Sequence, residues 1–242
     1  KVSKFVGKKS NDNKRIFLDD TINILDQNGN EKFSKSVSDI LIEHGLVHRI
    51  FASESFVTDP IHLNDIQPVL KDGPYFKKGD LFLSLRNLNM IILYRPKTNK
   101  IIKIIEGGFL NQHDVDILDE RTISIYNNNV LLNSKNERIV TNNEIVIYHF
   151  DTDSFSTRFE DTFKNSKINA HTGGLVDFLD DGSAIVENNT IGRILYLNNN
   201  GEVVWEFNNL NSKKKLYPLH WSRIINLEKA NKIKKIIKNK KN

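Results

Sequence analysis

The chain has 242 residues, 38% of them hydrophobic and 27% charged, a balance that specifies a globular body with a buried core and excludes a disordered chain. The formal charge of +5 is concentrated at the C-terminal end; the body is close to neutral and lacks the basic stripe with interleaved aromatics of a nucleic-acid surface. The absence of cysteine excludes disulfides, thiolate-bound zinc and a thiol nucleophile.

Residues 1–15 read as a polar lead-in. The first hairpin is TINIL (21–25), the turn DQNGN and then EKFS; a short helical turn is predicted at Ser38–His44. Helical periodicity is otherwise nearly absent before the tail, and short Val/Ile/Phe/Tyr/Leu runs broken by Asn, Asp, Gly and Pro dominate. GDLFLSL (79–85) leads to the hairpin MIILY–RPKTNK–IIKII (90–105). HDVDILDERTISI (113–125) leads to EIVIYHF–DTDS–FSTRF (144–159). GLVDFLDDGSAIV (174–186) leads to RILYL–NNNG–EVVWEF (193–207). Each hairpin tip carries residues that tolerate the left-handed backbone of a tight turn.

The last three units share one order of parts: two strands joined by a turn, then a hairpin. Asp116, Leu118 and Asp119 recur as Asp177, Leu179 and Asp180. A four-stranded antiparallel unit repeating at roughly 50–60 residues predicts an all-β fold, a β-propeller of about four to six blades or part of one. A β-sandwich also explains the alternation and turn spacing, but not the matching order of parts. The expected limits are 16–227 for the propeller and 228–242 for a basic helix or tail.

Seven histidines are present. His62, His113 and His171 each stand where a unit enters its first strand. In a propeller those points converge at one mouth of the central channel, so the three imidazoles can face a common pocket. Imidazole serves there as nucleophile, acid, base or metal ligand. Asp59, Asn64, Asp65, Gln112 and Asp114 are candidates to orient the rings or bind an oxyanion. The plainer reading has His62 and His113 as corner residues bonded to neighbouring loops. A three-histidine metal site has no short ligand spacing behind it. His44, His48 and His149 read as structural. His220, in LYPLHWSRII (216–225), begins what looks like another inner strand, with Trp221 as core and Arg223 at an edge.

Four stretches resemble the arylsulfotransferase family, bacterial propeller enzymes that move sulfuryl groups between phenols. DPIHLND (59–65) is similar to the family's histidine–asparagine motif. DLFLSLRNLNMIILY (80–94) resembles the following strand pair, with Arg86 in a Ser-x-Arg setting. QHDVDIL (112–118) with IYNNN (125–129) resembles the Gln-His element and the Phe-Asp-Asn-Gly turn. GRILYLNNNGEVVWEF (192–207) resembles the last blade. The resemblance spans roughly residues 20–226. It implies ping-pong transfer from an aryl sulfate to a phenolic acceptor through a sulfohistidine, without a cofactor. His62 and His113 would bind sulfate or act as acid and base, and His171 would carry the group. Asn64, Arg86, Gln112 and Asn128 would bind substrate. It also implies the cell envelope or periplasm, with the exporting segment or an N-terminal anchor outside this chain.

Two departures stand out. The turn reads YNNN (126–129), and the arginine that the family tends to place after it is replaced by Val130, Leu131 and Leu132; the nearest arginine is Arg138. Loss of that cation would cost several kcal/mol of charge stabilisation, by analogy with the ~2.7–4 kcal/mol of a single oxyanion donor, unless Arg86 or Arg138 compensates. The phenol pocket is unassigned; Tyr75, Phe76, Phe109 and Tyr126 are candidates for it and could equally be core. A non-catalytic propeller that binds a ligand or partner is the alternative, and a quinone-dependent dehydrogenase ranks third because its tryptophan-rich blade motif is absent.

No apolar run reaches the ~18–20 residues of a membrane span. The chain does not begin with Met and reads as a processed product or a fragment. In the tail, KANKIKKIIKNKKN (229–242), Ile233, Ile236 and Ile237 share one helical face amid lysines. Such a helix can rest on an anionic membrane, although three isoleucines bury little area.

Overall fold

A computed structural model describes residues 1–6, 16–53, 55–135, 137–225 and 227–239. Most of the expected lead-in (7–15) and the last three residues of the tail lie outside them. The chain divides into two compact units, Lys1–His171 and Thr172–Asn242.

The first unit opens with a helical turn, α1 (Ser3–Val6), and the antiparallel hairpin β1 (Thr21–Leu25) and β2 (Glu31–Ser36). The hairpin turn closes because the Asp26 carboxylate accepts the backbone N–H groups of Asn28 and Asn30 at 2.9 and 3.0 Å. The predicted helical turn is α2 (Val37–Glu43), capped by Ser36, whose hydroxyl oxygen accepts the Asp39 N–H at 3.0 Å. Helix α3 (Val47–Phe51) follows; it was not legible as a helix because one turn is too short to show a period.

Two four-stranded antiparallel sheets come next. The first is a meander of β3 (Leu63–Pro68), β4 (Leu81–Leu85), β5 (Met90–Arg95) and β6 (Lys100–Glu106). The second has β7 (His113–Ile117), β8 (Thr122–Asn127), β11 (Glu144–His149) and β12 (Ser154–Arg158) in the order β12-β11-β8-β7. A separate hairpin, β9 (Val130–Leu132) with β10 (Arg138–Val140), interrupts the chain between β8 and β11, and α4 (Glu160–Asn165) closes the unit.

The continuous apolar runs of β4 and β5 are explained by burial on both faces. Leu83, Leu85, Met90 and Ile92 pack against Ile22, Val37, Ile40 and Leu41 of the first hairpin and α2. Phe82, Ile91 and Leu93 face the other way, onto Val115, Ile123, Ile125 and Val146 of the second sheet. Period-two alternation sends neighbouring residues into different cores. Layers are also tied by half-buried carboxylates: Asp20 accepts the Leu63 N–H at 2.9 Å, and Asp65 accepts the Val115 N–H at 2.8 Å.

The second unit contains one four-stranded meander, β13 (Leu175–Phe178), β14 (Ala184–Asn188), β15 (Arg193–Leu197) and β16 (Val203–Asn208), and the helix α5 (Leu227–Asn239). Here Asp177 accepts the backbone N–H of Ile224. Burial pushes the carboxyls of Asp20 and Asp177 upward despite these bonds.

The protein is therefore mostly β, built on four-stranded antiparallel sheets, with a short C-terminal helix. Among the described residues no closed barrel or ring of sheets is formed, so the fold does not by itself establish the expected propeller. His220 and Trp221 lie in irregular chain, not in a strand, and Trp221 is 67% exposed with Arg223 over its ring at 5.1 Å. The core role expected for Trp221 is thus corrected. The aromatic candidates for a phenol pocket fall on the core side of their two readings. Phe76, Phe109 and Tyr126 are buried core side chains, and Tyr75 stacks on Phe150 and donates its hydroxyl to Asp151. Large rings contribute more by filling the inter-sheet space than by waiting at an opening.

Candidate functional site

The first strands of both sheets in the first unit begin irregularly. The ladder of β3 slips between Leu63 and Asp65, and that of β7 slips between His113 and Val115. Each is a bulge, in which two residues oppose one, and bulges re-aim the side chains beside them. The backbone there is unusual too: His62, Asn111 and Asp114 have φ of 54°, 53° and 40°. Asparagine and aspartate tolerate that region; histidine does so at a cost, which the surrounding structure must offset.

His113 is held by the asparagine run that follows β8. Its Nδ1 lies 2.6 Å from Asn128 Oδ1. Asn128 Nδ2 donates to the Ala170 carbonyl at 3.0 Å, so its oxygen is the end turned toward the ring. An amide oxygen only accepts, which places the ring proton on Nδ1 and the lone pair of the neutral ring on Nε2. Burial, the largest influence, lowers the His113 pKa to about 4; Arg86 and His62 push the same way, and the bonds to Asn128 and Asn111 oppose them. His113 is therefore neutral at pH 7.

His62 has a different partner. Its Nδ1 lies 2.5 Å from Asp59 Oδ2, an arrangement that fixes the orientation and tautomer of the ring. Asn64 and Gln112 brace the two openings. Asn64 Nδ2 donates to the Gln112 carbonyl at 2.7 Å, and Gln112 Nε2 donates to Ser84 Oγ and the Met90 carbonyl, both at 3.2 Å. Gln112 is fully buried, and Asn64 Oδ1 and Gln112 Oε1 are buried acceptors without a hydrogen-bond partner among the described residues.

Arg86 sits in the turn after β4 and is only 8% exposed. It donates through Nη1 to Asn87 Oδ1 at 2.9 Å, while its Nε is buried without a partner among the described residues. Burial first, then repulsion from Arg138, lowers its pKa, and Asp59 acts the other way; a guanidinium remains cationic in protein regardless. Arg86 and Arg138 line one cavity of ≈ 610 Å³, together with Arg49, Asp59 and Asn111. Arg49 is engaged by Glu106 at 3.0 Å.

His62, Arg86 and Asn128 are thus each brought within electrostatic or hydrogen-bond reach of His113, and Asn64 and Gln112 brace the strand openings beside it. His171 is exposed and reaches this group through its neighbour Ala170, whose carbonyl and N–H are clamped by Asn128 and Asn143. Sequence reasoning missed Asn143, which is fully buried and also donates to the Asn128 carbonyl at 2.7 Å. In TNNE (141–144) it reads as an ordinary loop asparagine, and nothing local marks it as the brace of a histidine thirty positions away by way of Asn128. His44 is structural as expected, bonding the Ile40 carbonyl at 2.8 Å and accepting the Ile101 N–H. Among the described residues no group of three or more metal-ligating side chains is arranged to hold an ion.

Comparison with curated proteins finds no match. Among solved structures, the chain is similar to a functionally unknown protein from Desulfotomaculum acetoxidans, with 10% identity and a TM-score of 0.38 over 68% of this chain and 42% of that one. It is also similar to a structural genomics protein of unknown function from Bacteroides thetaiotaomicron, with 10% identity and a TM-score of 0.31 over 60% and 43%. The chain thus spans less than half the length of either. The family model of the arylsulfotransferases (ASST) matches residues 2–210. That match takes in both bulged histidine openings, the Ser-x-Arg turn and the asparagine run that holds His113, and the chain belongs to the arylsulfotransferase family.

Proposed function

We propose that the protein transfers a sulfuryl group from an aryl sulfate to a phenolic acceptor through a histidine intermediate. The observation that carries this reading is the neutral, Nδ1-protonated His113 beside the buried guanidinium of Arg86. His113 Nε2 attacks sulfur, the S–O bond to the aryl group breaks, and the phenolate leaves with the electron pair. Arg86 holds the sulfate oxygens as charge moves to the leaving group. In the second half the acceptor oxygen attacks sulfur, the N–S bond breaks, and His62 Nε2 takes the acceptor's proton. Asp59 stabilises the imidazolium, whose proton then serves the next departing phenolate. Asn128 orients His113, and Asn64 and Gln112 keep the two strand openings in register. In this reading His113 takes the carrier role expected of His171, whose exposure gives it no comparable environment.

The repeated aspartate tie, made by Asp20, Asp65 and Asp177 to a following backbone N–H, supports a propeller built from these four-stranded units. The blade domain is taken as residues 16–227, and the cell envelope as its place of work. The basic face of α5 supports contact with an anionic membrane surface.

Steady-state turnover of 4-nitrophenyl sulfate with excess phenol tests the reaction. Phenol-dependent nitrophenol release is expected, falling at least a hundredfold in His113→Ala, in line with the ~10²–10⁴ range for positioned catalytic groups. Binding of sulfate esters without any release would favour a non-catalytic binding protein, the reading suggested by Val130–Leu132 standing where the family tends to place a cation.

A further inference from the structure

The cavity next to Arg86 carries information about what is attached to the sulfate. The β9–β10 hairpin contributes Leu131, Leu132 and Arg138 to its lining and the Arg86–Asn89 turn another part, and Val57 and Leu110 are among the remaining apolar residues. None of its lining residues is aromatic. The four aromatic side chains that the sequence offered for a phenol are in the core or bonded elsewhere. Aromatic ligands gain from offset or edge-on ring contacts, whereas aliphatic walls adapt to a methylene chain and discriminate by buried area alone.

The polar end of the cavity is equally specific. Arg86 is more than nine-tenths buried, and its Nε has no partner among the described residues. Arg138 faces the same space from β10, where it is paired in register with Leu132. Two guanidinium groups that repel each other are stabilised by an anion between them. Asp59, the carboxylate in the lining, is already bonded to His62. The volume of ≈ 610 Å³ is that of a small-molecule site and exceeds what a bare sulfate fills.

We propose that this cavity is a subsite for a sulfate ester of an aliphatic alcohol, with the head between Arg86 and Arg138 and the chain against Leu131 and Leu132. The inserted hairpin thus replaces the cation missing after the YNNN turn and sets the preference for the organic body. The identity of the head group rests on the sulfuryl-transfer reading; the preference for an aliphatic body does not.

Calorimetric titration of the full chain carrying His113→Ala, which separates binding from turnover, tests the subsite with hexyl sulfate, phenyl sulfate, inorganic sulfate and hexanol. Hexyl sulfate is expected to bind more tightly than the other three. Arg138→Gln should weaken hexyl sulfate about tenfold or more, as for loss of a charge-assisted contact. Leu131→Asp should weaken hexyl sulfate while leaving inorganic sulfate nearly unchanged. Both positions are exposed on the hairpin, and circular dichroism establishes that the variants fold. Phenyl sulfate binding as tightly as hexyl sulfate, or Arg138→Gln without effect, would overturn the proposal even if nitrophenyl sulfate is turned over. Selective hexyl sulfate binding by a wild-type protein that never turns over aryl sulfate would keep the subsite and remove the transfer reading.

Discussion

At the scale of single residues, the account depends on the protonation state of one imidazole. With a pKa near 4 against the ordinary 6.5, His113 stays neutral through the mildly acidic range. The acid limb of kcat/KM is therefore expected near pH 4. Arg86→Gln removes one of the influences that lower this pKa, so the limb should move upward as activity falls. A limb that stays put would detach Arg86 from His113. The same shift has a stability consequence. Between pH 6.5 and about 4 the unfolded chain takes up a proton that the folded ring refuses, so the native state loses stability as pH falls through that window. Denaturant midpoints measured across it should fall less steeply in His113→Ala than in the wild type.

At the scale of elements, the asparagine run after β8 is a buried framework and not merely a turn. Asn128 and Asn143 are both fully buried and between them clamp Ala170 and the His113 ring. Truncating Asn143 strands the Ala170 N–H and removes a donor from two carbonyls, so Asn143→Ala should cost about 1–3 kcal/mol or more in urea denaturation. A neutral result would mean that the framework is dispensable. Much of this level was legible in the sequence. Alternating runs and Asn/Asp/Gly tips gave the hairpins, and the recurring order of parts gave the four-stranded unit. His62, His113 and Gln112 were singled out from their positions at strand openings, and Arg86 from its Ser-x-Arg setting in the family resemblance. The Asn143 brace and the entry of Arg138 through an inserted hairpin were not legible, because both depend on contacts between stretches with no shared pattern. The aromatic candidates stayed undecided between pocket and core for a related reason: a buried ring and a pocket ring look alike in a strand that alternates.

At the scale of the whole molecule, the chain repeats one sheet and one kind of aspartate tie, and it belongs to a family named for sulfuryl transfer. No described helix is long and apolar enough to cross a membrane. The family supplies the reaction class; the residues of this chain decide whether and how it runs. The most direct test is a rapid quench at alkaline pH after mixing with 4-nitrophenyl sulfate in the absence of acceptor, followed by peptide mass mapping. The account predicts an acid-labile gain of one SO₃ on the peptide containing His113, formed with a burst of nitrophenol and lost on adding phenol. The same label on the His171 peptide alone, or nitrophenol release with no labelled histidine, would contradict it.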